Sequence, residues 1–167
     1  MRFIVLALLP LLAIFFQSTF FASYSIKGVV PDLVLVFVIF YALLNGADKG
    51  GRYGLLCGLL EDLYTGRFIG MNAISKSVTA YIIGRMQHRV FTENVAVGIF
   101  SVIMGSLLNA FLLLVIALIY FAAFNLTINF LIDTLYQVIY NVLLTTPIYL
   151  WYYQSSKRGL LKDTGER

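Results

Sequence analysis

The chain has 167 residues, 60% of them hydrophobic and 12% charged, with a net charge of +4 at pH 7. A soluble domain averages about 45–50% apolar and about 25% charged residues, so a water-soluble fold of this size could not hide this much apolar surface. One Cys and one His exclude a disulfide framework and a Cys/His metal cluster. The basic residues lie between apolar runs and in the tail, not in a stripe suited to nucleic acid.

Crossing the hydrocarbon takes ~20 apolar residues, and six runs are read against that length: about 3–21, 32–44, 52–64, 71–84, 95–121 and 131–153. The first follows Arg2 and precedes the small residues Ala22 and Ser23, a pattern that a cleaved signal peptide shares. Its length favours a retained helix. Pro31 and Asp32 read as the start of the second run, with Asp favoured in a first turn by the helix dipole. The third run is short, about 20 Å at 1.5 Å per residue, so it either crosses or re-enters. Pro10 and Pro147 fall inside predicted helices and kink them.

Charge decides between the two topologies. With six crossings and the N-terminus inside, nine basic residues are cytoplasmic: Arg2, Lys49, Arg52, Arg85, Arg89, Lys157, Arg158, Lys162 and Arg167. Lys27, Arg67 and Lys76 fall outside or near the outer surface. A re-entrant third segment leaves five inside against seven outside, so six crossings are expected. The prediction is an all-α membrane protein, a six-transmembrane-helix bundle over residues 1–153 with a short cytoplasmic tail, 154–167. Tyr120, Tyr149, Trp151, Tyr152 and Tyr153 cluster near helix ends, as an interfacial aromatic belt does.

The third run carries the densest pattern. Gly46, Gly50, Gly54 and Gly58 recur every fourth residue. Gly46 and Gly50, with Gly51 beside them, read as loop glycines, and Gly54 and Gly58 as packing glycines that let a second backbone approach. Asp62 continues their register and points at the packed neighbour, while Glu61 is rotated about 100° away. That separation argues against an acid–base dyad. Arg67 and Lys76 are the expected counter-ions. A second polar line, Asp133, Gln137, Asn141 and Thr145, has four-residue spacing and is expected to turn inward. Asn72, Lys76 and Asn109 offer facing polar groups, either as glue between helices or as the lining of a small pocket.

Catalysis finds little support. No G-x-S-x-G or Walker A motif occurs, His88 is separated from Glu61 and Asp62 in the topology, and Cys57 lies among apolar residues. No cofactor or metal is expected.

The segments VVPDLVLVFVIFYALLNG (Val29–Gly46) and GGRYGLLCGLLEDLYTGRFIGMNAISKSVTAYIIGR (Gly50–Arg85) resemble the MreD family of bacterial rod shape-determining membrane proteins. Pro31-Asp32-Leu33, the glycine-spaced helix ending in Leu60-Glu61-Asp62, and Gly70-Met71-Asn72-Ala73 carry the likeness. Residues Phe91–Arg167 share only hydropathy with it. The resemblance implies a non-enzymatic partner of MreC in the cell-wall elongation complex. Through MreC it implies contact with MreB, a glycosyltransferase and a transpeptidase, with membrane lipids around it. That family is similar in fold to the substrate-binding subunits of energy-coupling-factor vitamin transporters, which supplies the alternative function. Pro31, Asp32, Gly54, Gly58, Glu61 and Asp62 are then expected at packing or partner contacts. Asn72, Lys76, Asn109, Asp133, Gln137 and Asn141 are expected in a polar interior.

Overall fold

The computed structural model describes residues 2–66, 68–86, 95–120 and 128–158, and it is helical nearly throughout. In chain order the helices are α1 (Arg2–Ser18), α2 (Phe20–Ser23), α3 (Leu33–Asn45), α4 (Ala47–Thr65), α5 (Met71–Gly84), α6 (Val95–Tyr120) and α7 (Ile128–Arg158). Arg67, the loop carrying His88 and Arg89, and residues 159–167 of the expected tail lie outside the described residues.

Pro10 sits inside α1 and has no N–H to offer the carbonyl of Leu6, four residues earlier. Tyr53 of α4 supplies the missing donor: its hydroxyl donates to Leu6 O at 2.9 Å. The expected first span is broken at Thr19, whose hydroxyl donates to Phe15 O at 2.6 Å, and a single turn, α2, follows. Lys27 and Gly28, at φ 53° and 82°, then close a tight turn in which Ile26 and Val29 exchange backbone hydrogen bonds. This loop leans on α7. The Lys27 ammonium lies 5.3 Å from the Tyr136 ring centroid, and the Tyr140 hydroxyl donates to Tyr24 O at 2.6 Å.

A helix that is apolar all round belongs in the middle of a bundle, and α3 is such a helix. Val34, Val36, Val38, Ile39 and Phe40 are fully buried. One side of α3 packs with Leu6 and Leu9 of α1, Val102 of α6 and Tyr149 and Tyr152 of α7. The other meets Ala13, Ile14, Cys57 and Ala80. Tyr149 and Tyr152 are therefore core residues and not part of an interfacial belt, because Phe40 offers them its ring, with centroids 5.0 Å and 6.1 Å away. Tyr120 and Trp151 are exposed, and the Tyr153 side chain lies outside the described residues.

The third predicted run lengthens at its start. Helix α4 has 19 residues, about 28 Å, because it begins at Ala47 and takes in Gly50 and Gly51. Those two are helical, buried packing residues, not loop glycines; Gly46, at φ 88°, makes the turn from α3. A Cβ on Gly50 would lie 2.5 Å from Ala42 Cβ of α3, and one on Gly54 would lie 2.7 Å from Lys76 O of α5. Added to Gly58, it would overlap the backbone of Asn72 and Ala73. Helix α4 is thus pressed between α3 and α5 at backbone distance. Among the described residues, two segments are long and apolar enough to cross a membrane, Ile4–Phe21 and Val95–Tyr120, and Leu33–Asn45 is a shorter apolar helix.

Candidate functional site: a buried charge cluster

The cluster begins with the local need of α3 for partners at its first turn, where helical N–H groups have none within the helix. Asp32 is the N-cap, and its Oδ1 accepts from the Leu35 N–H at 2.8 Å. Gln17 Oε1 accepts from the Val34 N–H at 3.1 Å. The Asp32 N–H itself donates to Asn141 Oδ1 at 2.8 Å, and Asn141 Nδ2 donates to Ser106 Oγ at 3.0 Å. Asp32 therefore sits one position earlier than a first-turn residue. Its cap ties α3 to α6 and α7 through one asparagine.

The second oxygen of Asp32 faces a cation. Lys76 of α5 donates from Nζ to Asp32 Oδ2 at 2.5 Å, and the same nitrogen lies 3.0 Å from Glu61 Oε2. The second contact is an ion pair without the angle of a directed hydrogen bond. Lys76 is 0% exposed. Removing an ammonium from water costs several kcal/mol unless opposite charge and hydrogen bonds meet it, and the two carboxylates do so here. One lysine thus joins α3, α4 and α5.

Asp62 acts separately. The N-cap of α5 is Gly70, at φ 109°, which has no side chain to accept the helix's first N–H groups. Asp62 reaches across from α4 to accept them. Its Oδ2 takes the N–H of Gly70 at 2.9 Å and of Ala73 at 3.0 Å. Its Oδ1 takes the Asn72 N–H at 3.1 Å and Asn72 Nδ2 at 2.9 Å. A carboxylate at a helix N-terminus is also favoured by the dipole. Adjacent in sequence, Glu61 and Asp62 both engage α5, one at Lys76 and the other a turn earlier.

The remaining predicted residues divide. Pro31, Asn109 and Asn141 are buried, and Lys76 belongs to the cluster. Gly54 and Gly58 pack on α5. Asp133 is exposed and Gln137 half-buried, whereas Asn141 and Thr145 are fully buried. Four-residue steps on a 3.6-residue helix drift about 40° each, so the line leaves the interior towards its N-terminal end. Ser106, one of the polar groups that the polar line of the sixth run meets, bonds Asn141 as glue between helices, whereas sequence reasoning missed Tyr53 as a connecting residue. Pro10 was the signal for Tyr53, since its ring removes the donor that a neighbour must replace.

An all-helical bundle with helices of membrane-crossing length, and with a buried lysine held between two carboxylates, is by class a helical membrane protein. The chain matches the family of the rod shape-determining protein MreD over residues 1–157, and it belongs to that family. No curated protein and no solved structure matches it. Membership makes it a rod-shape-determining membrane protein of a structural family.

Proposed function

We propose that the protein is a non-enzymatic scaffold of the cell-wall elongation complex. In this reading it holds the membrane helix of MreC and, through MreC, bears on MreB, the glycosyltransferase and the transpeptidase. The observation that carries this reading is the self-contained charge cluster. Asp32, Glu61 and Lys76 are spent on one another, and Asp62 on the first turn of α5. Such groups fix helices in place, as buried polar contacts do between membrane helices.

Six crossings with both termini cytoplasmic complete the proposal. Lys76 is inside the bundle and leaves the charge count, so the bias becomes nine inside against two, Lys27 and Arg67. Helix α6 supplies a docking face: Phe100, Met104, Leu107, Phe111 and Leu118 are exposed at steps of four, three, four and seven residues. That is the spacing of a seam for a second helix. The test is co-purification with MreC. Met104→Arg combined with Leu107→Arg is expected to abolish it while thermal unfolding stays cooperative. Undiminished co-purification would remove this face from the proposal.

One observation favours the transporter-subunit reading. Thr79 Oγ1, Ser101 Oγ and Asn109 Oδ1 are buried without a hydrogen-bond partner, as a small polar pocket would leave them. Native mass spectrometry of gently purified protein decides it. A retained small molecule lost in Asn109→Leu supports transport, and its absence supports the scaffold.

A further inference from the structure

Beside the Tyr53–Leu6 hydrogen bond, α1 and α4 line a groove of about 750 Å3. Its walls are Leu6 and Pro10 on α1 and Leu56, Leu60 and Leu63 on α4. Two cations, Lys49 and Arg52, line the same groove at one end, beside the packed rings of Tyr41 and Tyr53, whose centroids are 4.4 Å apart. Both cations are exposed, and among the described residues neither forms an ion pair. The nearby carboxylate, Asp48, lines an adjoining groove between α4 and α5, which Arg52 also borders, its Nε donating to Asp48 O at 3.2 Å.

From these observations we infer that the groove is a binding site for one anionic phospholipid, its phosphate held by Lys49 and Arg52 and an acyl chain laid along α4. Length distinguishes this occupant from a protein helix. From Arg52 to Leu63 is about 17 Å along α4, close to half of the ~30 Å hydrocarbon thickness. An acyl chain of one leaflet fills that depth, whereas a crossing helix needs twice as much. Charge gives the same answer. Basic clusters at the cytoplasmic end of membrane helices attract anionic headgroups, by roughly 1 kcal/mol per cation. The Tyr41–Tyr53 pair lies beside the cations, and Pro10 and the leucines along the rest of the groove offer apolar contact to an acyl chain. The inference rests on the proposed orientation, in which the start of α4 is cytoplasmic.

The experiment uses the full chain, purified in detergent and exposed to equal amounts of dioleoyl-phosphatidylglycerol and dioleoyl-phosphatidylcholine, with retained lipid read by native mass spectrometry. Phosphatidylglycerol is expected to be retained selectively. Lys49→Ala with Arg52→Ala should weaken it roughly 30-fold, the effect of two such cations. Leu60→Trp, which fills the groove without touching a charge, should weaken it as well. All three positions are exposed, and a cooperative melt confirms that each variant folds. Equal retention of both lipids, or unchanged retention in the double variant, overturns the inference. So does displacement of the lipid by millimolar inorganic phosphate, which would show an anion site indifferent to the chain. A photo-crosslinker at Leu60 that captures polypeptide instead of lipid in cells also overturns it. Labelling of Lys49→Cys, in a Cys57→Ala background, by a membrane-impermeant thiol reagent added outside cells refutes the orientation separately.

Discussion

Replacing Lys76 with methionine keeps most of the side chain's volume and removes its charge. Asp32 Oδ2 then loses a 2.5 Å partner and Glu61 Oε2 a 3.0 Å partner, in a site where Lys76 is fully buried and Asp32 is 6% exposed. Removing one member of a buried ion pair costs about 3–5 kcal/mol, mostly because the charge left behind has nothing to replace its hydration. Asp32 keeps its Leu35 N–H, and Glu61 is partly open, so the lower half of that range is expected. About 3–4 kcal/mol is a large part of the 5–15 kcal/mol that holds a typical domain, and at 2–4 °C per kcal/mol it lowers Tm by roughly 6–16 °C. Cys57 makes the measurement direct. It is the sole cysteine, 2% exposed, so a thiol-reactive fluorophore reports the opening of α4 during a thermal ramp. A triple variant, Lys76→Met with Asp32→Asn and Glu61→Gln, should regain much of the loss, since replacing a whole buried ionic group by neutral ones is often close to neutral. A Lys76→Met protein melting within about 2 °C of wild type, less than the shift for a single kcal/mol in a chain of this size, would refute the idea that the cluster holds the three helices together.

Three further outcomes follow from the same geometry. Asp62→Ala strips the first turn of α5 of its acceptor and should cost about 2–3 kcal/mol, with Asp62→Asn losing roughly half as much, read as Tm and as faster amide exchange at Gly70, Asn72 and Ala73. Gly58→Ala drives a methyl into the α5 backbone and should destabilise by about 1–3 kcal/mol. Gly66→Ala has open space and meets only the strain of φ 66°, so it should cost about 1–2 kcal/mol. Tyr53→Phe leaves Leu6 O without its donor and is expected to lower stability by about 1 kcal/mol in a wild-type background, with no effect when Pro10→Ala restores the helical N–H.

Much of the bundle could be read from hydropathy, because a helix crossing lipid must be apolar for ~20 residues. The glycine register told which face of α4 meets a neighbour, since only glycine tolerates backbone at that distance. The helix starts were less legible. Gly50 and Gly51 look like turn residues locally, and only contact with Ala42 and Tyr81 shows them as packing residues. The partners of Lys76 were half legible. Glu61 lies on the preceding helix, but Asp32 is 44 residues away, and nothing in local sequence brings α3 against α5. The role of Asp62 was visible as an inward direction and not as a cap, because the acceptor and the turn it serves are on different helices. Tyr149 and Tyr152 misled for a related reason: aromatic rings near a helix end suit either the interface or the core, and Phe40 decides which.

The order of these residues along the chain has a consequence for synthesis. Asp32 and Glu61 leave the ribosome before Lys76, and Asp62 before the turn that it caps. A chain that ends before α5 thus holds Asp32 and Glu61 without the lysine that pairs with them, and Asp62 without the N–H groups that it caps. The cluster closes only when α5 has been made.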